Sequence, residues 1–249
     1  MPILTVLITG GTSGIGRACA LAFGRAGYQV AVTGRDEARL ADTARALAAA
    51  GIAHLAVRAD VGDEAAAERA VRETVARFGG LHVLLNNAGI SMRARFQDAD
   101  LEVIKQLMQT NFFGAVFTTK FALPHLLASK GSIVGISSIA GYRGLPGRTG
   151  YSASKFALNG FLEALRTELL DQGVHVLTAA PGFTASNIRR VALAADGTAQ
   201  GESPRDEGAM MSSEAVAAEI LRPCSSAAAR WCSPGRASWS CSSTSGCPG

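Results

Sequence analysis

Short runs rich in valine, isoleucine and leucine recur along the chain and alternate with longer segments in which apolar side chains return every three or four positions. A continuous apolar run marks a strand buried on both faces, and the longer period marks a helix with one face on a core. The runs fall at residues 4–9, 29–33, 53–58, 81–86, 132–137 and 174–179, and the helical pattern at about 14–26, 37–50, 63–78, 101–127 and 151–170. Gly27, Gly51, Gly79 and Gly173 stand at or just past the ends of helical segments, where a left-handed residue commonly stops a helix. Strands joined through helices must pair in parallel, so this order predicts an α/β fold with a doubly wound parallel sheet flanked by helices. In such a sheet the ligand lies at the carboxyl ends of the strands, near the point where strand order reverses.

The 249 residues are 48% hydrophobic, with mean hydropathy +0.19, which suits one domain with a large core. The net charge of +4 does not gather into a patch: Arg17, Arg25, Arg35, Arg39 and Arg45 are spread along the early helices, so no nucleic acid partner is expected. Residues 1–8 carry no basic leader or cleavage site, and their apolar stretch is only strand length, so a cytoplasmic protein with no membrane partner is expected. Cys19 is isolated, and Cys224, Cys232, Cys241 and Cys247 match no CxxC spacing, so neither a metal site nor a disulfide framework is indicated. His54, His82, His125 and His175 have no serine or cysteine partner pattern and read as structural.

The first strand runs into Thr9-Gly10-Gly11-Thr12-Ser13-Gly14-Ile15-Gly16, which opens the first helix. Gly10, Gly14 and Gly16, spaced GxxxGxG, leave bare backbone at the positive end of that helix, so with Thr12, Ser13 and Ile15 they form a cradle for a pyrophosphate. After the second strand, where an acid would accept from a ribose 2′-hydroxyl, the chain has Thr33-Gly34-Arg35. A guanidinium pairs bidentately with a phosphate, so Arg35 favours NADP over NAD, with Ser13 and Arg17 as helpers. Asp60-Val61 follows the third strand, where the carboxylate either accepts from an adenine amino group or begins a turn.

Tyr151 and Lys155 are four residues apart on a predicted helix and share a face. A neighbouring ammonium favours phenolate and draws a pKa of about 10 toward the range useful for proton transfer. Hydride transfer at a carbonyl needs a donor on the oxygen and a proton source of matched pKa, which Ser138 and Tyr151 supply. Ser137 competes with Ser138, but adjacent side chains of an extended segment point to opposite faces, so only one of them meets the site.

Asn86-Asn87-Ala88-Gly89 ends the fourth strand, Asn111 lies in Thr110-Asn111-Phe112-Phe113-Gly114, and Pro181-Gly182 follows the sixth strand. With the glycine turn and the Ser-TyrxxxLys group, the chain resembles the short-chain dehydrogenase/reductase family from residue 4 to about 221, in unbroken motif order. The register Ser138-Ile139-Ala140-Gly141 matches that family and selects Ser138. The resemblance implies a Rossmann-type domain over residues 1–222 and a homodimer or homotetramer packed through the long helices. It implies that Ser138 polarises the substrate oxygen, that Tyr151 gives or takes its proton, and that Lys155 lowers the tyrosine pKa and holds the nicotinamide ribose. Asn111 would anchor a water chain from Lys155, Asn87, Ala88 and Gly89 would line the adenosine side, and Pro181, Gly182 and Thr184 would wall the nicotinamide. The expected activity is NADP-dependent interconversion of an alcohol and a ketone or aldehyde in a small-molecule substrate. A 3-oxoacyl carrier-protein reductase would need a basic docking patch, for which Arg93, Arg95, Arg143 and Arg148 are available. A catalytically silent NADP-binding sensor would lack the tyrosine or the lysine, and both are present.

Residues 183–213 turn polar around a short helical stretch at 187–194 and read as a lid over the strand ends, with Met92, Phe96, Tyr142, Leu145, Phe183 and Ile188 as pocket candidates. From Pro223 four cysteines, both tryptophans and many serines replace the apolar run of a last strand. Reading the last nucleotide of each codon with the first two of the next makes Trp239-Ser240-Cys241-Ser242 aliphatic. Residues 223–249 are therefore expected to be a frame-shifted product, or else a Ser/Cys-rich tail, with the last strand missing or scrambled.

Overall fold

The computed structural model describes residues 3–184, 187–202 and 210–225. Strands β1 (Thr5–Ile8), β2 (Gln29–Gly34), β3 (His54–Arg58), β4 (Val83–Asn86), β5 (Ser132–Ile136) and β6 (His175–Ala179) form one parallel sheet in the order β3-β2-β1-β4-β5-β6. Helices α1 (Gly14–Arg25), α2 (Glu37–Ala49), α3 (Glu64–Phe78), α4 (Leu101–Met108), α5 (Gly114–Ser129), α6 (Thr149–Glu168) and α7 (Ser213–Ser225) complete a single α/β domain. Local chemistry sets several ends. Asp36 and Asp63 cap α2 and α3 by accepting from Arg39 N at 3.1 Å and Ala66 N at 2.8 Å, and Gly79 closes α3 at φ 80°.

Alternation along β1 divides the core. Val6 and Ile8 pack with Phe23, Leu47 and Ile220 beneath α1, α2 and α7, while Leu7 packs with Leu84, Leu126 and Leu162 beneath α3, α5 and α6. A third apolar cluster, including Met92, Leu107, Tyr151 and Leu193, lies beyond the strand ends. His82 and His54 are structural: His82 Nδ1 accepts from Thr5 N at 3.0 Å, and His54 Nδ1 lies 2.9 Å from Ile52 O.

Two departures from the sequence pattern concern the site. The expected helix at 101–127 is broken by a π turn, Gln109–Phe113, because the Asn111 side chain is drawn out of the helical register by bonds to Ile90. Of the helical stretch expected at 187–194, the structure forms only a 3-10 turn, Asn187–Arg189, after which Leu193 bridges to Met92 and Ala199.

Helix α7 was absent from the expected elements, although Val216, Ala217 and Ile220 are placed to bury one face. It begins where Ser212 Oγ accepts from Ala215 N at 3.1 Å, and it runs past residue 222, so that Tyr28 Oη donates to Cys224 O at 3.1 Å. Burial pushes the thiols of Cys19 and Cys224 up to about 12, so both are inert packing groups. Residues 226–249, which hold most of the compositionally odd tail, lie outside the described residues, as do 185–186 and 203–209 of the expected lid.

Leu84 is fully buried at the centre of the sheet. Leu84→Ala is expected to lower unfolding free energy by about 3 kcal/mol through lost transfer energy and a residual cavity. Urea titration checks this as a lower midpoint at unchanged slope.

Candidate active site

A cleft of about 350 Å³ runs along the carboxyl ends of the strands and spans the point where β1 and β4 diverge. Its floor is the glycine turn, with Gly10 at φ 63° and Gly14 at φ 48°. Asn87 braces that turn: its Nδ2 donates to Thr9 O at 2.9 Å and to Gly10 O at 3.0 Å, while Thr9 Oγ1 accepts from Asn87 N and Ala88 N, each at 3.0 Å. A Cβ on Gly10 would fall 2.8 Å from Ala88 Cα, and one on Gly16 would collide with Gly10 O and Asn87 Nδ2, so the two segments approach as closely as bare backbone allows. The first turn of α1 holds no acidic residue and Ser13 does not cap it, which leaves its positive end facing the cleft at Gly14 and Ile15.

At one end of the cleft, Arg35 pairs with Asp60 at 3.6 Å and Arg39 with Asp36 at 3.5 Å, all half-exposed. Such exposed pairs contribute little to stability and exchange readily for a better anion. Asp60 Oδ1 also accepts from Gly62 N at 3.0 Å, so this carboxylate shapes its turn while lining the cleft.

At the other end Tyr151 is buried, and it lines the cleft together with Ser138, whose Oγ accepts from Ala140 N at 3.2 Å. Ser137 is turned away: its Oγ is buried near Gly141 without a hydrogen-bond partner. Lys155, on the same helix face as Tyr151, donates from Nζ to Ile136 O at 2.8 Å and lies 5.9 Å from the Tyr151 ring centre. Burial pushes its amine down to about 8. Burial also raises the Tyr151 hydroxyl above its ordinary value, and the Ser138 hydrogen bond and the Arg148 guanidinium oppose that rise. The sequence pattern suggested Lys155 for that opposing role. In this structure its amine donates to the main chain at Ile136 O.

Asn111 stands behind this group. Its Oδ1 accepts from Ile90 N at 2.8 Å, and its Nδ2 donates to Ile90 O and to Ser154 Oγ, each at 2.9 Å. Ser154 Oγ in turn donates to Tyr151 O at 2.8 Å, so the π turn is tied to the first turn of α6. Both amide hydrogens are thereby engaged, and Oδ1 keeps one further lone pair.

All the residues expected at the cofactor line the cleft except Gly16, which lies under the turn, and the expected helper Arg17, which lies outside it beside Ala18, Leu21 and the start of α7; Asn111 alone of the catalytic candidates is set behind the cleft. Of the pocket candidates, Leu145, Phe183 and Ile188 line the cleft, whereas Met92 is fully buried and Phe96 and Tyr142 are exposed outside it. Sequence reasoning did not place Ser91, Arg39 or Arg189 here; they carry no local motif. Arg148, expected among the basic groups of a docking patch, donates from Nη1 to Ser91 Oγ at 2.7 Å. No group of three or more His, Cys, Asp or Glu among the described residues is placed to hold a metal.

A family model described as short chain dehydrogenase matches residues 4–196. The chain belongs to that family and is an oxidoreductase of the class acting on CH–OH groups. It is 37% identical over 221 residues to dehydrogenase/reductase SDR family member 7B of Mus musculus, covering 87% of this chain and 68% of that protein. It is 42% identical over 168 residues to 11-beta-hydroxysteroid dehydrogenase-like 4A of Arabidopsis thaliana, covering 66% of this chain and 56% of that protein. A short-chain dehydrogenase/reductase from Burkholderia phymatum, solved in complex with NAD, superposes with a TM-score of 0.80 at 24% identity, covering 88% of this chain and 85% of that one. The chain thus spans about two thirds of the length of its curated animal relatives.

The depressed Lys155 pKa has a stability consequence. Between about 8 and the ordinary lysine value the folded protein binds fewer protons than the unfolded chain, so the penalty of burying the ammonium is fully present below about 8 and fades as pH rises through that window. Lys155→Met is expected to flatten this rise. Thermal unfolding of cofactor-free wild type and variant across the window checks it, and parallel curves would contradict the assignment.

Proposed function

We propose that this chain is an NADP-dependent oxidoreductase that interconverts an alcohol and a ketone or aldehyde, with Ser138, Tyr151, Lys155 and Asn111 as its working residues. The observation that carries the reading is buried Tyr151 brought together with Ser138 at one end of the cleft, with Lys155 on the same helix face 5.9 Å from its ring. The glycine cradle that a Cβ would fill and the open end of α1 fit a dinucleotide pyrophosphate. Arg35 and Arg39 fit a 2′-phosphate beside them, and Asp36 accepts from Arg39 N as the α2 cap and pairs with the Arg39 guanidinium. Bound there, the cofactor supplies or accepts the hydride.

The side chains do the rest. Ser138 donates to the substrate oxygen where negative charge grows, and Tyr151 delivers the proton in reduction and removes it in oxidation. Lys155, with its amine near 8, matches the medium closely enough to restore that proton, and Asn111 holds the helix geometry that keeps it in place. Pro181, Gly182 and Thr184 wall the nicotinamide end, and Leu145, Phe183, Ile188 and Val191 favour a substrate with an apolar body. A carrier-protein reductase is less well supported, because Arg148 turns into the cleft rather than toward a docking face. A silent sensor would have no use for Ser138, Tyr151 and Lys155 brought together at one end of the cleft. Exposed Phe113 and Phe156 favour a homodimer or homotetramer packed through α5 and α6. No helix among the described residues is long and apolar enough to cross a membrane.

Tyr151→Phe is expected to lower kcat by about 10²–10⁴-fold with cofactor binding retained. Steady-state assay against a ketone and alcohol panel, with fluorescence titration of the cofactor, checks this, and full activity in the variant overturns the reading. Arg35→Ala is expected to raise KM for NADP by about 10–100-fold, the worth of one charge-assisted contact, while leaving NAD nearly unaffected. Equal effects on the two cofactors would remove Arg35 from the 2′-phosphate.

A further inference from the structure

Helix α6 carries Tyr151, Lys155 and Asn159 at intervals of four, so the three side chains share one face. The last two reach the segment after β5 from successive turns. Lys155 Nζ donates to Ile136 O at 2.8 Å, and Asn159 Nδ2 donates to Gly141 O at 2.8 Å. Ser138 lies between those two carbonyls. The short turn that it opens, Ile139–Gly141, is drawn tight by its own bonds: Gly141 N donates to Ser138 O at 2.9 Å, and Ala140 N to Ser138 Oγ at 3.2 Å. Whatever fixes Gly141 against the helix therefore fixes Ser138.

Gly141 is closely seated. A Cβ there would fall 2.7 Å from Ser137 Oγ, 2.8 Å from Asn159 Nδ2 and 3.0 Å from Lys155 O, so the turn lies flush on α6. Of the polar side chains at this seat, Ser137 holds nothing: its Oγ is buried and has no hydrogen-bond partner among the described residues. The Asn159 amide holds Gly141 O, yet its own Oδ1 is buried and equally without a partner. A buried amide that leaves its oxygen dry contributes little to stability, because the unpartnered group costs about as much as the bond supplies. Its effect is geometric: it sets the distance and direction of the Ser138 turn from the helix face of Tyr151. The next tether from this loop to the helix, Leu145 N to Ser152 Oγ, comes later in the chain and is longer, at 3.3 Å.

We propose that Asn159 is a positioning residue for the reaction: its amide ties Gly141 O to the helix face that carries Tyr151 and so holds Ser138 Oγ in line with the substrate oxygen. Lys155 grips the strand side of Ser138 and Asn159 the turn side, so the serine is held at both ends of its segment. The inference rests on the reading of Ser138 as the donor to that oxygen, and its test separates the two.

The test is a double-mutant cycle of Asn159→Leu and Ser138→Ala in the full-length protein, with NADPH and the ketone of the panel that wild type reduces fastest. Hydride transfer is read in a single turnover at excess enzyme, so that slow variants register. Asn159→Leu is expected to slow transfer by about 10-fold, with NADPH affinity within about 2-fold of wild type, as a small displacement of a transition-state donor requires. In the Ser138→Ala background the same substitution should have almost no effect, because the group it positions is gone; a purely structural residue would slow both backgrounds alike. Undiminished transfer in Asn159→Leu, or an equal fall in both backgrounds, overturns the proposal. If Asn159→Leu does not fold, Asn159→Ala, which removes the amide and adds no bulk, takes its place under the same two criteria. Full transfer by Ser138→Ala would overturn the functional reading of Ser138 and the proposal with it, whereas a slow Ser138→Ala beside an unaffected Asn159→Leu overturns the proposal alone.

Discussion

Two ionisable side chains, Tyr151 and Lys155, are held out of water on one face of α6, and the architecture around them is arranged to make that tolerable. Desolvation drives both toward their neutral forms, the phenol up and the amine down. Each therefore needs specific partners. The amine has a main-chain carbonyl at the end of β5, and the phenol has a serine just past the same strand. A proton donor in such surroundings gives up its proton only when charge develops close by, which is the condition a carbonyl accepting hydride creates.

The parallel sheet serves this in a way a single helix cannot. β1 and β4 part at the glycine turn, and the close approach of Gly10 to Ala88 leaves a slot floored by backbone rather than side chains. The buried end of the cleft is then assembled from elements far apart in sequence: Ser138 after β5, Tyr151 on α6, Asn111 in the π turn and Ser91 after β4. Each is tied to a neighbour by at least one short hydrogen bond, so the geometry is set by the fold before any ligand arrives.

Much of this was legible in the sequence. Apolar runs located all six strands, since a parallel strand buried on both faces cannot alternate: the run at 4–9 became Thr5–Ile8, and the run at 132–137 became Ser132–Ile136. The cleft residues were legible for a related reason, because the glycine turn, Asn87-Ala88-Gly89 and Pro181-Gly182 are short local motifs that end up lining it. What stayed hidden depends on contacts between distant segments. The link from Arg148 to Ser91 joins residues 57 positions apart, and nothing beside either one announces it. The direction of the Lys155 amine follows from a carbonyl 19 positions away. Helix α7 was obscured because its buried face, Val216 to Ile220, sits between a polar loop and an abrupt change of composition.

The π turn at Asn111 has a consequence for how the helix from α4 to α5 tolerates change. One extra residue per turn rotates everything after it by about 100° relative to everything before, so the apolar stripe of α4 and that of α5 are out of phase. The first stripe serves Leu107 and the wall of the site, and the second serves Ala122 and Leu126 under the sheet. A heritable deletion of a single residue within Gln109–Phe113 would bring the two stripes back into phase and so set the core and the site against each other. The chain can lose length at its surface loops far more easily than here, where the helix spans two independent packing problems with one wide turn between them.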